Sequence, residues 1–297
     1  MDYIIETKGL TKRFGHTVAA DNINMHIQKG DIYGFIGKNG AGKTTTMKLI
    51  LGLLTENSGE ITLFGSSDLD KERHRIGSLI EAPGLFNKCS AYENLKRFSI
   101  LYGGDDEEIH NLLKLVGLSN VGKRPAGKFS LGMKQRLGIA IAMLGNPEIL
   151  ILDEPINGLD PAGIKDVRDT IIRLNQEKGV TFLISSHLLD ELSKITTRYG
   201  IVNNGVLIEE IEAEDLYNRC QNSLMVRVDN IANTLEVLKA NNLVDKYEVN
   251  DDVITIFNHV ENSHIINKTL VNNNITVYEI YGKNTGLEDY FIERIGK

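Results

Sequence analysis

The run Gly37-Lys38-Asn39-Gly40-Ala41-Gly42-Lys43-Thr44-Thr45 has the residue types and spacing that grip phosphate, G-x-x-x-x-G-K-[ST]. Its glycines let the backbone curl so that successive N–H groups point inward, and a helix opening there adds the positive end of its dipole. Lys43 is placed to reach β- and γ-phosphates, and the Thr44 hydroxyl to serve Mg²⁺. A second reactive group, Asp153-Glu154, directly follows Ile149-Leu150-Ile151-Leu152. One carboxylate of such a pair can hold Mg²⁺, directly or through water, while its neighbour polarises an attacking water. His187 is a third candidate, as a γ-phosphate contact.

These groups need elements to hold them. The apolar run 32–36 predicts a strand leading into the phosphate loop, and Met47, Ile50, Leu51 and Leu54 predict a helix leaving it as far as Leu54. Four aliphatics before Asp153 predict a strand buried on both faces, as in a parallel sheet, whose carboxyl end is the ligand-binding rim. Residues 180–184 predict the next such strand, ending beside His187. Between these two strands, Asp160 reads as a helix cap with Pro161 at the first helical position. Ile164, Val167, Ile171 and Leu174 then face inward along a helix to Lys178.

Short strands are expected at 3–7 and about 19–27, with Lys12-Arg13-Phe14-Gly15 in the loop between them. Phe14 there is either a stacking platform for a base or an aromatic folded onto the sheet. Further strands are expected at 60–64 and 76–80, the latter broken by Glu81-Ala82-Pro83-Gly84. From 91 to 144 the pattern turns helical, with Leu95, Phe98 and Tyr102 on one stripe and Ile109, Leu112, Leu113 and Val116 on another. A third helix of this insertion starts at Ser130, a residue that caps helices and can also donate to a phosphate at the helix's positive end. Residues 199–203 and 206–210 flank Asn204-Gly205 as a hairpin.

Composition bounds the rest. The 297 residues allow one large or two modest domains, and 41% hydrophobic with 25% charged content is that of a globular chain. A net charge of −7, with no long basic run, argues against broad nucleic-acid binding. Cys89 and Cys220 stand far apart without metal-like pairing, which fits a reducing compartment and no structural zinc. No apolar stretch is long enough to span a bilayer and the N-terminus has no secretory pattern, so a cytoplasmic protein is expected.

Taken in order, these motifs resemble the ATP-binding subunit of an ABC transporter over about residues 3–210. The resemblance implies a P-loop NTPase α/β core with an antiparallel β subdomain and a helical subdomain at about 85–145. Phe14 with Val18 would hold the base; Gly37, Asn39, Gly40, Ala41, Gly42, Lys43, Thr44 and Thr45 the phosphates of ATP; Thr44, Asp153 and Glu81 the Mg²⁺. Glu154, His187 and Lys43 would be the catalytic groups. Two subunits, as homodimer or heterodimer, would sandwich each ATP between the phosphate loop of one and Ser130 of the other, with Gly132 and Asp160 as further nucleotide-binding residues. An integral membrane permease would be the further partner, placing the protein on the inner face of the membrane.

Two departures matter. Leu131 and Met133 stand where the signature stretch usually has Gly and Gln, and Glu81 where the loop after the phosphate helix usually has Gln. Both resemble the branch exporting bacitracin and lantibiotics, as does the tail Thr285-Gly286-Leu287-Glu288-Asp289-Tyr290-Phe291. An ATPase powering export of a peptide antibiotic or similar amphiphile is the expected function. The alternatives are a soluble ABC ATPase acting on nucleic acid or ribosomes, and a non-hydrolysing scaffold. With the ATPase domain expected over 1–215, residues 222–297 predict strands at 224–228, 246–249, 253–257 and 275–281. Helices are expected at 231–240, 261–271 and 287–295, giving a βαββαβ order and a small ferredoxin-like α+β domain.

Overall fold

Strand β1 (Tyr3–Phe14) is the spine of an antiparallel sheet, pairing with β2 (Thr17–Ile23) along its second half and β3 (His26–Gln28) along its first. The single run expected at 19–27 is thus two strands, broken at Asn24-Met25 just after the irregularity where Asn22 takes a left-handed φ of 51°. Phe14 does not lie in a loop. It ends β1 and pairs with Thr17 across the Gly15-His16 turn. The computed structural model describes residues 3–102, 104–220, 223–258, 260–283 and 286–295; Thr285 of the tail motif and residue 222 lie outside them.

Strand β4 (Ile32–Ile36) is buried along its whole length and feeds the phosphate loop and α1 (Lys43–Ile50). That helix stops short of Leu54 because Gly52, just past the capping Leu51, is left-handed at φ 72°. Leu54 nevertheless packs against the core. Strand β5 (Ser58–Leu63) returns to β1, and a short α2 (Leu69–Arg73) leads to β6 (Ile76–Leu79).

The insertion then forms α3 (Ala91–Ser99), α4 (Asp106–Leu115) and α5 (Leu131–Ala142). Each begins at a side-chain cap: Ser90 with a reciprocal bond from Glu93, Asp105, and Ser130. Leu95, Ile109, Leu112, Leu113 and Val116 are buried as their spacing predicts. Tyr102 is not part of the α3 stripe: the helix ends at Ser99 and Tyr102 is exposed.

Strand β7 (Ile149–Asp153), α6 (Pro161–Lys178), β8 (Thr181–Ser186), α7 (Leu189–Leu192) and the hairpin of β9 (Arg198–Asn203) with β10 (Val206–Glu212) complete this part. They build a six-stranded sheet in the order β10-β9-β4-β8-β7-β6, parallel except for the β10 edge. Strands β4, β7 and β8 are buried on both faces, which accounts for their unbroken apolar runs.

The chain divides into two compact units, Met1–Ala213 and Glu214–Lys297, the boundary falling at the start of α8 (Ala213–Arg219). The second unit contains β11 (Ser223–Val228), α9 (Ile231–Ala240), β12 (Tyr247–Asn250) and β13 (Val253–Ile256). After them come α10 (Ser263–Asn272), β14 (Val277–Lys283) and α11 (Leu287–Ile295). Its sheet is antiparallel throughout in the order β12-β13-β11-β14. Leu224, Val226, Ile254 and Ile256 of the strands pack with Leu238, Ile266 and Leu270 of the helices as a separate core. Among the described residues, no helix is long and apolar enough to cross a membrane.

Where the insertion returns to the sheet, packing leaves no room for a methyl group. A Cβ at Gly77 of β6 would lie 1.9 Å from the Ala142 carbonyl oxygen at the end of α5. Gly77→Ala must push the helix from the sheet and is expected to cost about 1–3 kcal/mol in urea unfolding. An unchanged midpoint would show that this contact does not hold the helical layer.

Candidate functional site

The carboxyl ends of β4, β8 and β7, neighbours in the sheet, meet the start of α1. The loop between β4 and α1 is close-packed as well as curled. A Cβ at Gly42, which caps α1 at φ 101°, would fall 2.2 Å from the Ala19 carbonyl oxygen; one at Gly37 would fall 2.4 Å from that of Val202. Only glycine fits either place. Asn39 and Gly40 are exposed at the tip, while Ala41 is buried and donates its N–H to the Lys38 carbonyl at 3.1 Å.

Lys43 is 6% exposed, with its ammonium turned back into the loop. It donates to the carbonyls of Gly37 at 2.7 Å and Lys38 at 3.3 Å, and pairs with Glu154 Oε1 at 3.2 Å. Thr44 Oγ1 donates to Asp153 Oδ2 at 2.8 Å, and Ser185 Oγ donates to Asp153 Oδ1 at 2.6 Å. Ser185 Oγ also accepts from the Glu154 N–H at 2.8 Å. Glu154 has a left-handed φ of 49°, a strained backbone just past the end of β7. His187 Nδ1 donates to Glu154 Oε2 at 2.8 Å. The structure therefore joins Lys43, Thr44, Asp153, Glu154 and His187 in one connected cluster.

The hydroxyl of Thr44 and the carboxylate of Asp153 face each other as hard oxygen donors. That donor set fits Mg²⁺, which keeps waters and phosphate oxygens as its other ligands. Glu81 stands apart from them. Its Oε1 accepts from Lys48 Nζ at 2.7 Å, and the lysine holds its carboxyl below the ordinary range. The pair therefore persists at neutral pH and is lost only as pH falls through that depressed value.

Phe14 is 49% exposed, with Lys12 Nζ 5.2 Å from the centre of its ring. Val18 is half-buried and pairs with Arg13 across the hairpin. The turn between β9 and β10 binds this hairpin to the phosphate loop: Gly205 N–H donates to the Ala41 carbonyl at 3.0 Å, and Asp21 N–H to the Gly205 carbonyl at 2.7 Å.

A second cluster lies where the N-termini of α5 and α6 meet. Ser130 is exposed and accepts from Met133 N–H at 3.3 Å, and Asp160 accepts from Gly163 N–H at 3.0 Å. Gly132 is buried, its Cβ position 3.1 Å from Gly163 Cα. Among the described residues, no hydrogen bond links these three to residues 37–45.

Residues 20–157 match the sequence profile of the ABC transporter family. The whole chain is 41% identical to the bacitracin transport ATP-binding protein of Bacillus licheniformis, covering 98% of that protein. The chain belongs to the ABC transporter ATPases. It is also 43% identical to the lantibiotic transport ATP-binding protein of Streptococcus pyogenes over 72% of this chain and 96% of that one. Among solved structures, cbiO1 of Clostridium perfringens superposes with a TM-score of 0.67 at 28% identity, over 73% of this chain and 91% of that one. An ATP-binding cassette in its ADP conformation gives 0.66 at 27%, over 72% and 93%.

Ser185 is the member of this ATPase's site that sequence reasoning passed over. Its signal was only a small polar residue at a strand end, and its importance comes from the register of β7 beside β8, which pairs it with Asp153. Ser185→Ala removes one donor from a carboxylate that is 4% exposed and leaves the Glu154 N–H unpaired. A loss of about 1–3 kcal/mol in urea unfolding is expected, with kcat for ATP hydrolysis falling more than KM rises. Wild-type stability and kcat together would exclude a bridging role for this hydroxyl.

Proposed function

We propose that this ATPase powers export of a peptide antibiotic or similar amphiphile through a separate membrane subunit. The full-length identity to a bacitracin transport protein is the observation that carries the cargo class, since it extends through the second unit as well as the ATPase unit. In this reading Phe14 and Val18 receive the base, and Gly37, Asn39, Gly40, Ala41, Gly42, Lys43, Thr44 and Thr45 receive the phosphates.

Thr44 and Asp153 hold Mg²⁺, which when bound offsets the negative charge gathered on the phosphates. Glu154 accepts a proton from the attacking water, and His187, bonded to the same carboxylate, orients it beside the γ-phosphate. Lys43 leaves its loop carbonyls for the phosphate oxygens.

A second ATPase subunit, of the same or a related sequence, supplies Ser130, Gly132 and Asp160 to this ATP. Supporting this is their separation from the chain's own phosphate loop in hydrogen bonding, with Ser130 open to solvent at the positive end of α5. A bacterial ABC transporter cassette of 26% identity, TM-score 0.63, has been solved as a dimer. The second unit, whose strand order matches a ferredoxin-like fold, is read as an accessory domain that packs against a partner or stabilises the dimer. The protein works on the inner face of the membrane, and nucleic acid is not its partner, in keeping with a net charge of −7.

Mg²⁺-dependent hydrolysis by wild type and Glu154→Gln, with oligomeric state measured with and without ATP, tests the site. The variant is expected to lose about 100-fold or more of the rate and to accumulate as an ATP-bound dimer. Undiminished hydrolysis would take the role of base away from Glu154.

The permease contact is tested separately. Ile100, Leu101 and Tyr102, at 78%, 77% and 56% exposure, form an exposed apolar patch just beyond α3. Ile100→Asp with Leu101→Asp is expected to abolish copurification with the membrane subunit while sparing ATP hydrolysis by the isolated protein. Intact copurification would place the contact elsewhere.

A further inference from the structure

Glu81 brings a carboxylate beside the phosphate helix α1, and the structure gives that charge a partner. Lys48 Nζ donates to Glu81 Oε1 at 2.7 Å, with side-chain exposures of 30% and 68%. Lys48 lies four residues beyond Thr44 on α1, on the same helix face one turn further from the phosphate loop. Glu81 keeps a left-handed φ of 65°, a conformation that a side chain with a Cβ holds only where its surroundings fix it.

The other end of the segment is also fixed. A Cβ at Gly138 of α5 would fall 2.8 Å from Pro83 Cβ and 3.1 Å from Leu79 Cδ1. The segment around Glu81 is thus held on one side by an ion pair to the phosphate helix and on the other by the helix that begins at Ser130. An exposed ion pair contributes little to stability. Its consequence here is electrostatic, because an uncompensated carboxylate beside α1 would repel a triphosphate in the loop.

We infer that Lys48 is a positioning residue for nucleotide binding: it holds and neutralises Glu81, so that this carboxylate does not weaken the hold on ATP. This rests on the nucleotide site proposed above. It separates Lys48 from a lysine that attracts phosphate on its own account, for such a lysine would matter equally whatever stood at 81.

The test is a double-mutant cycle on the full chain: wild type, Lys48→Met, Glu81→Gln and the double variant, with Lys48→Arg as the conservative control. Binding of a fluorescent ATP analogue is measured in EDTA and in Mg²⁺, at low and high salt, beside kcat and KM for hydrolysis. Lys48→Met is expected to weaken metal-free binding by about three- to tenfold at low salt, less at high salt. In the Glu81→Gln background the same change should cost less than about twofold, and Lys48→Arg should bind as wild type does. Equal losses in both backgrounds would overturn the inference and make Lys48 a direct phosphate contact or a structural residue. Failure of the wild type to bind the analogue at all would instead overturn the nucleotide site, and this inference with it.

Discussion

Asp153 is a carboxylate, nearly buried, that must be bonded from two sides at once. Thr44 reaches it from the phosphate helix and Ser185 from the neighbouring strand. A charge taken out of water is tolerated only where donors replace the lost hydration, so neither contact can be given up cheaply. The requirement ties α1 to β7 and β7 to β8, with Ser185 passing the constraint on to the Glu154 backbone. The chain just beyond Asp153 inherits that fixed start: the strained turn at Glu154 and the direction in which its carboxylate meets Lys43 and His187. The sheet is therefore more than a scaffold, because its strand register sets the geometry of this cluster.

The same unit carries its second cluster on a different layer. Ser130 and Asp160 cap neighbouring helices, and Gly132 and Gly163 allow those helices to meet closely. Each cap satisfies backbone groups of its own helix and leaves the dipole end of α5 open. This layer is joined to the sheet by close packing at Gly77 and around Gly138.

Much of this was legible in the sequence because the signals were local. The phosphate loop states its own geometry through glycine spacing, and the buried strands announce themselves as unbroken aliphatic runs. The caps at Ser130 and Asp160 and the turn at Asn204-Gly205 depend on residues within four positions of one another. In the second unit the order of strands and helices could be read from alternation alone. Even there boundaries moved: the expected strand at 275–281 begins at Val277, because Ile275 is drawn into the core ahead of it.

Residue type and short-range spacing thus determined which groups are candidates to hold phosphate, where the elements begin and which faces are apolar. Tertiary structure decided what those groups touch. Phe14 belongs to a strand because β2 pairs with it, and α1 ends early because Gly52 turns left-handed after Leu51. Ser185 enters the site because β7 and β8 align in parallel, and Glu81 is held by Lys48, 33 positions away in sequence. Contacts of that kind depend on strand register and on the approach of one helix to a distant segment. Neither is encoded within a turn's length of chain, so only the folded sheet and its layers could settle them.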